Sequence, residues 1–209
     1  MASARKVEPE NKVILLSTAY FAPVAWFGAV ARSSSALVEA CESFQKQSWR
    51  NRCVIYSADG AQTLQVPVLH AGSRLIRDIR IDYSKNWLHQ HRRAILTAYG
   101  PSPFYKYYWD ELDAILDKQH EFLFDLNCEL TDKILSFLNL HTPVGFTTDF
   151  ESAPTGLCDL RSAIHPKREV PHWQPREYYQ IFSDRHGWLP NLSILDLLFQ
   201  EGPAAVECL

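Results

Sequence analysis

The hydrophobic period of this chain changes in its middle third, near residue 86, and that change restricts the fold more than any other feature. Over residues 121–139, Leu123, Leu126, Leu130, Ile134 and Leu138 recur at helical spacing. Asn86 is placed to cap an earlier helix that carries Trp87, His91, Ile95 and Ala98 on one stripe and ends at Gly100-Pro101. Ser102-Pro103 opens a third, in which Phe104, Tyr107, Tyr108, Leu112, Ile115 and Leu116 are expected to share the apolar face. Tyr105 and Trp109 are left off that stripe, which suits either stacking on a sugar or nucleobase or packing at the rim of the core.

Before residue 86 the pattern is that of strands. Residues 12–17 form a short apolar run, and Pro23 sits at the first turn of an expected helix over residues 24–32, with Trp26, Phe27 and Val30 on one face. The three serines at 33–35 predict a loop, and residues 36–41 a second strand. Residues 52–57 and 63–68, joined through Asp59-Gly60, read as a hairpin. A further strand is expected over residues 75–82. Past residue 141 the pattern thins, with strand-like stretches only at residues 145–150 and 178–182. Ser193 and Asp196 have capping-box spacing, and the helix that follows is apolar all round until Gly202-Pro203, so it is expected to be buried. These elements imply an α/β (mixed α+β) fold. A flexible tail over residues 1–12 precedes a single domain over residues 13–209, whose mixed sheet, built from the N-terminal strands, packs against the middle helices and the buried C-terminal helix.

A length of 209 residues allows one substantial core, and 46% hydrophobic with 22% charged residues is ordinary for a globular chain. The net charge of -3 argues against a nucleic-acid partner. Cys41, Cys53, Cys128, Cys158 and Cys208 are scattered with no Cys-x-x-Cys pair, which suggests reduced thiols and a cytoplasmic protein. The N-terminus lacks a signal-like apolar region, and the run over residues 19–31 falls short of the ~20 residues a membrane span needs. No cofactor or metal is expected: there is no Gly-rich phosphate loop and no Gly-x-Ser-x-Gly. His89 and His91, two apart on a helix, face different ways.

The candidate chemistry concentrates in Phe44-Gln-Lys-Gln-Ser-Trp-Arg-Asn-Arg52, just ahead of a strand. Planar guanidinium forks suit carboxylates and phosphates, so Lys46, Trp49, Arg50, Asn51 and Arg52 are candidate binding residues for an anionic ligand. The alternative is a solvated basic turn whose Trp49 caps the core. His91 lies on an apolar stripe, either as a core histidine tied to a backbone carbonyl or, if it faces a cleft, as a general base. Cys41 or Cys53 paired with His91 would make a nucleophile, although the apolar strand around Cys53 suits an inert thiol better.

Trp49-Arg-Asn-Arg52 with Lys46 upstream resembles the WbqC-like protein family. Leu64-Gln-Val-Pro-Val68, Trp87 with His91, Ser102-Pro-Phe-Tyr105 and Leu126-Asn127 agree in order and spacing. So do Tyr179-Gln-Ile-Phe182, the stretch from Leu189-Pro-Asn-Leu to Leu-Leu-Phe199, and Gly202-Pro203. The resemblance covers nearly all of the chain after residue 12 and implies a setting in bacterial surface-polysaccharide or O-antigen biosynthesis. There are departures: Thr18-Ala19 stand where the family has Gln-Pro, Val24 replaces a tryptophan, and the expected acidic pair falls near Ala40-Cys41, flanked by Glu39 and Glu42. The family's later Ser-Gly signature is not evident over residues 141–175. With this setting, the chain is expected to be a group-transfer enzyme acting on an activated sugar, or attaching an acyl-type group to one. Lys46, Arg50 and Arg52 would hold an anionic donor such as a sugar nucleotide or acyl thioester, Asn51 would orient it, and His91 would act as base. The alternative is a non-catalytic binding protein that recognises a sugar nucleotide or a glycosyltransferase partner among glycan-biosynthesis proteins.

Overall fold

Residues 10–69, 72–171 and 173–209 are described by the computed structural model. Residues 1–9, most of the expected tail, lie outside them. The first strand, β1 (Glu10–Ser17), leads through helix α1 (Val24–Ala31) into β2 (Ser33–Glu39), which pairs with it in parallel from Glu10↔Ser33 to Ser17↔Glu39. This is a βαβ unit, and the buried Ile14, Leu15 and Leu16 suit a strand covered on both faces. The serines expected to form a loop open β2 instead. Ser33 Oγ closes the end of α1 by donating to Val30 O (3.0 Å), and the backbone enters the ladder at once.

The other two parallel strands come from the thinly patterned region. Strand β5 (Val144–Phe146) adds outside β2 and β6 (Cys158–Asp159) adds outside β1, in the order β5-β2-β1-β6. All four strands therefore finish on one edge, at Ser17, Glu39, Phe146 and Asp159. The expected hairpin forms a separate pair, β3 (Arg52–Ser57) with β4 (Gly60–Gln65), turning through Ala58 and Asp59 with Gly60 at φ +101°.

Helices α2 (Trp87–Tyr99), α3 (Tyr105–Asp117) and α4 (Leu123–Phe137) follow the expected order. Helix α2 lies on β3, and the Tyr56 amide donates to Tyr99 Oη (2.9 Å). Its stripe is as expected: Trp87, His91, Ile95 and Ala98 are buried. The stripe of α3 is rotated from the expected one. Tyr105, Trp109, Leu112, Ile115 and Leu116 face inward, whereas Tyr107 is 75% exposed. Both sides of this helix carry aromatics, so spacing alone does not choose between them. Tyr105 and Trp109 stack on each other (5.8 Å between centroids) and meet Phe199 edge-on, which makes them core residues and not a sugar platform.

Residues 75–82 do not form the expected strand. They contain one tight turn, Ile76–Asp78, and their backbone groups find separate partners: Ile76 N donates to Glu42 O, and Ile81 N to Glu121 O. Ile76, Ile79 and Ile81 are still buried, so the apolar pattern reports burial without a ladder. Residues 178–182 also make no ladder. There the Gln180 side chain replaces a strand partner, donating to Leu189 O and accepting from Leu189 N (both 2.9 Å). A four-residue helix, α5 (Ser183–His186), follows.

The buried helix α6 (Ile194–Glu201) joins the two halves, packing on α1, α3 and β3. Just before it, Ser193 N donates to Val54 O and Ile194 N to Ala22 O, so one turn ties the hairpin to the loop after β1. Gly202, at φ +54°, ends the helix. A Cβ there would lie 2.5 Å from the Phe104 ring.

Candidate functional site

In open parallel sheets, ligands collect beyond the carboxyl ends of the strands. Here that edge is met by the arginine-rich loop. Ser48 Oγ accepts from Arg50 N (3.4 Å) and shapes the helical turn Trp49–Asn51. Three successive carbonyls of the turn are then anchored by three parts of the chain. Tyr20 N donates to Trp49 O (2.9 Å), Asn127 Nδ2 to Arg50 O (2.8 Å), and Val66 N to Asn51 O (2.8 Å). Asn51 Nδ2 returns a bond to Val66 O (2.8 Å).

Arg50 points inward and is 2% exposed. Its Nε donates to Glu42 Oε1 (2.8 Å), its Nη2 pairs with Glu42 Oε2, and Nη2 also reaches Ser17 Oγ (2.7 Å). Beside it, Arg161 Nη1 donates to Glu39 Oε2 (2.7 Å), while Nε and Nη2 fork over Asp159 (3.0 and 2.7 Å). Hydrogen bonds from Arg161 hold the Asp159 carboxyl below its usual range. Glu39 accepts further bonds from Thr147 Oγ1 and Cys41 N. Two arginines and three carboxylates thus tie the ends of β1, β2 and β6 to the loop. The void between Ser17, Trp26, Trp49, Arg50 and Arg161 is only about 10 Å³, room for a single water.

The open part of the site is a groove of about 500 Å³ lined by Lys46, Asn51, Arg52, Gln65, Asp82 and Lys85, among others. Its cations come from the loop, the start of β3 and the turn before α2. Arg52 Nη2 donates to Gln65 Oε1 (3.1 Å), and none of Lys46, Arg52 and Lys85 pairs with a described carboxylate. Arg52 Nε and Asn51 Oδ1 are buried without partners. Hydrogen bonds from Ser84 hold the Asp82 carboxyl below its usual range, so Asp82 is ionised at neutral pH. Of the residues singled out from sequence, the groove gathers Lys46, Asn51 and Arg52. Trp49 and Arg50 line the small void instead.

His91 lies behind the groove wall, 4% exposed. Its ring Nδ1 meets Tyr20 Oη at 3.0 Å. Burial lowers its pKa to about 4, so the imidazole is neutral. Burial also pushes the Cys53 thiol far up, which leaves no thiolate there for a nucleophilic role. Cys41 is half-buried at the end of β2, its Sγ 3.1 Å from Thr148 O. Among the described residues, no group of three His, Cys, Asp or Glu side chains could hold a metal ion, and no helix is long and apolar enough to cross a membrane.

Sequence reasoning passed over Gln65, Arg161 and Asp196. Asp196 was read as half of a capping box. Ser193 Oγ does accept from Leu195 N (3.3 Å), but Asp196 does not reach back. It is fully buried, accepts from Tyr178 Oη (2.7 Å) and Gln180 Nε2 (3.1 Å), and burial raises its pKa to about 6. A carboxylate inside a helix apolar all round was the available signal.

The model of the WbqC-like protein family matches residues 18–169, well over half of the chain. The uncharacterized protein Rv1507c of Mycobacterium tuberculosis is similar, with 28% identity over 229 residues covering 95% of this chain and 97% of that protein. No solved structure matches.

Proposed function

The chain belongs to the WbqC-like protein family, and from that premise we propose that its groove binds an anionic small molecule, a sugar nucleotide or an acyl thioester. The proposed setting is the biosynthesis of a bacterial surface polysaccharide of O-antigen type. The observation that carries this reading is the convergence of Lys46 and Arg52 from the loop with Lys85 from before α2, without described carboxylate partners, on one cavity. Cations fixed around a phosphate or thioester also favour group transfer, because they stabilise charge that develops on the leaving group. The role proposed for this chain is therefore transfer of a sugar, or of an acyl-type group onto one.

In this reading Lys46 and Arg52 hold the anion, Asn51 and Gln65 fix the groove wall, and the Glu42–Arg50 pair with Trp49 positions the turn. His91 is a positioning residue, holding Tyr20 in place. A second reading, a binding protein that presents a sugar nucleotide to a glycosyltransferase partner, is favoured by one observation: the enclosure of His91, which is buried and bonded to Tyr20.

Calorimetric titration of the native protein with nucleoside diphosphate sugars and acyl thioesters tests the binding. A ligand should bind, and Arg52→Ala should weaken it by about tenfold or more, the scale of one charge-assisted hydrogen bond. No binding by either class, or undiminished binding by Arg52→Ala, overturns the reading. Turnover of the bound ligand in the presence of sugar acceptors separates the enzyme from the binding protein.

A further inference from the structure

A second cavity, of about 480 Å³, shares the Trp49–Asn51 turn with the groove: Asn51 lines the groove and Trp49 lines the cavity. Its walls come from β3 (Val54), from residues 165–170 with Trp173 and Pro175, and from the turn before α6, and they are largely apolar, with Val170, Trp173 and Leu192 among them. The segment that walls it is fastened to the groove's rim, where Lys167 Nζ donates to Gln47 Oε1 (2.6 Å). A pocket of this size, apolar with a few fixed polar groups, has the general form of a small-molecule site.

Beside the Arg168 guanidinium and the Glu169 carboxylate, two polar groups of the lining offer neutral N–H donors. His165 Nδ1 accepts from the Lys167 amide (3.2 Å); since that amide can only donate, the ring proton of the neutral imidazole is on Nε2. Burial, then the cations Arg168, Arg50 and Lys167, lower its pKa and keep it neutral. Asn191 Oδ1 accepts from Ala25 N (3.0 Å), which leaves its amide N–H groups as what it can offer a ligand. A planar apolar ring with acceptor atoms on its edge answers these donors and the apolar walls.

We infer that the cavity takes the base of a nucleotide whose phosphates lie in the groove, a ring bearing carbonyl acceptors such as uracil. This rests on the anion-binding reading of the groove and adds the part of the ligand that the groove does not explain. Val54 and Val170 flank the ring, His165 Nε2 and the Asn191 amide donate to its carbonyls, and the ribose passes over the rim at Gln47.

Calorimetric titration with uridine, uridine diphosphate and inorganic pyrophosphate tests the two parts separately. Uridine and uridine diphosphate should bind the native protein. Val170→Trp, which fills the cavity, should weaken both by about tenfold or more and leave pyrophosphate unchanged. Lys46→Ala with Lys85→Ala should do the reverse, weakening pyrophosphate and sparing uridine. His165→Phe keeps a ring of similar shape without the donor, so it serves if Val170→Trp unfolds; it should weaken uridine in the same way. No uridine binding, or uridine binding untouched by His165→Phe and by a folded Val170→Trp, overturns the inference. Uridine binding that these variants weaken, with no pyrophosphate binding at all, keeps the cavity's role and rejects the groove's.

Discussion

Arg50 and Glu42 face each other with both side chains withdrawn from solvent, the guanidinium forked over the two carboxylate oxygens. A buried pair of this kind adds little net stability over apolar residues, because both charges were removed from water, but breaking it strands one charge. Arg50→Ala should therefore destabilise the fold by roughly 3–5 kcal/mol. The double variant Arg50→Met with Glu42→Leu should recover a large part of that loss. Urea denaturation measures both. An Arg50→Ala protein as stable as the native one would mean that the pair does not form in solution.

Asp196 and His91 should give stability opposite dependences on pH. The folded pKa of Asp196, about 6, lies above its ordinary 3.8, so its contribution is present at low pH and lost as pH rises through 6. The folded pKa of His91, about 4, lies below its ordinary 6.5, so its contribution is present above 6.5 and lost as pH falls towards 4. Each shift corresponds to about 3 kcal/mol. In the native protein the two slopes largely cancel between pH 4 and 6. Asp196→Asn should become more stable as pH rises through that window, and His91→Gln less stable. Urea midpoints across the window check the signs; parallel slopes in the two variants would contradict the assignment.

Gly202→Ala should destabilise the protein by about 2 kcal/mol or more, since it adds a left-handed backbone penalty to a clash with the Phe104 ring. Thermal unfolding reads this directly. An unchanged midpoint would show that the end of α6 relaxes away from Phe104.

Cys53 should resist alkylation in the folded protein, since its thiol is buried and held far from ionisation, and Cys53→Ala should leave ligand binding in the groove unchanged. Mass spectrometry of iodoacetamide-treated native protein checks the first point. Rapid labelling of Cys53 without unfolding would reopen a nucleophilic role.

Much of what was legible lies where one element meets solvent on one side only. Trp87, His91, Ile95 and Ala98 mark the inner face of α2 because most of the residues between them are polar. The αβ character, the hairpin and the buried α6 followed from similar local contrasts. Strand β5 was legible in part, read over residues 145–150 and formed over Val144–Phe146, whereas β6 was not, because two residues carry no period and β1, which holds them, lies far away in sequence. The inner face of α3 was ambiguous because aromatics occupy both sides, and the order over residues 75–82 depends on partners as distant as Glu121.

The arginine loop stood out from its composition, but composition could not say which way each side chain turns. Arg50 and Arg52 are two residues apart. One is locked to Glu42 inside the protein, and the other lines the groove with Lys46. Lys85 joins them only through folding. Asp196 escaped notice because a carboxylate three residues after a serine also fits a cap, and only its surroundings separate a cap from a buried acid.

The central claim is that the groove of Lys46, Arg52 and Lys85 holds an anion. Its most direct test is calorimetric titration of a nucleoside diphosphate sugar or an acyl thioester against Lys46→Glu with Lys85→Glu, beside the native protein. Both lysines lie outside described ion pairs, so the double variant should keep native stability to within about 1 kcal/mol. Loss of measurable binding in a variant that unfolds like the native protein is the predicted result. Binding of equal strength in both proteins would contradict the account.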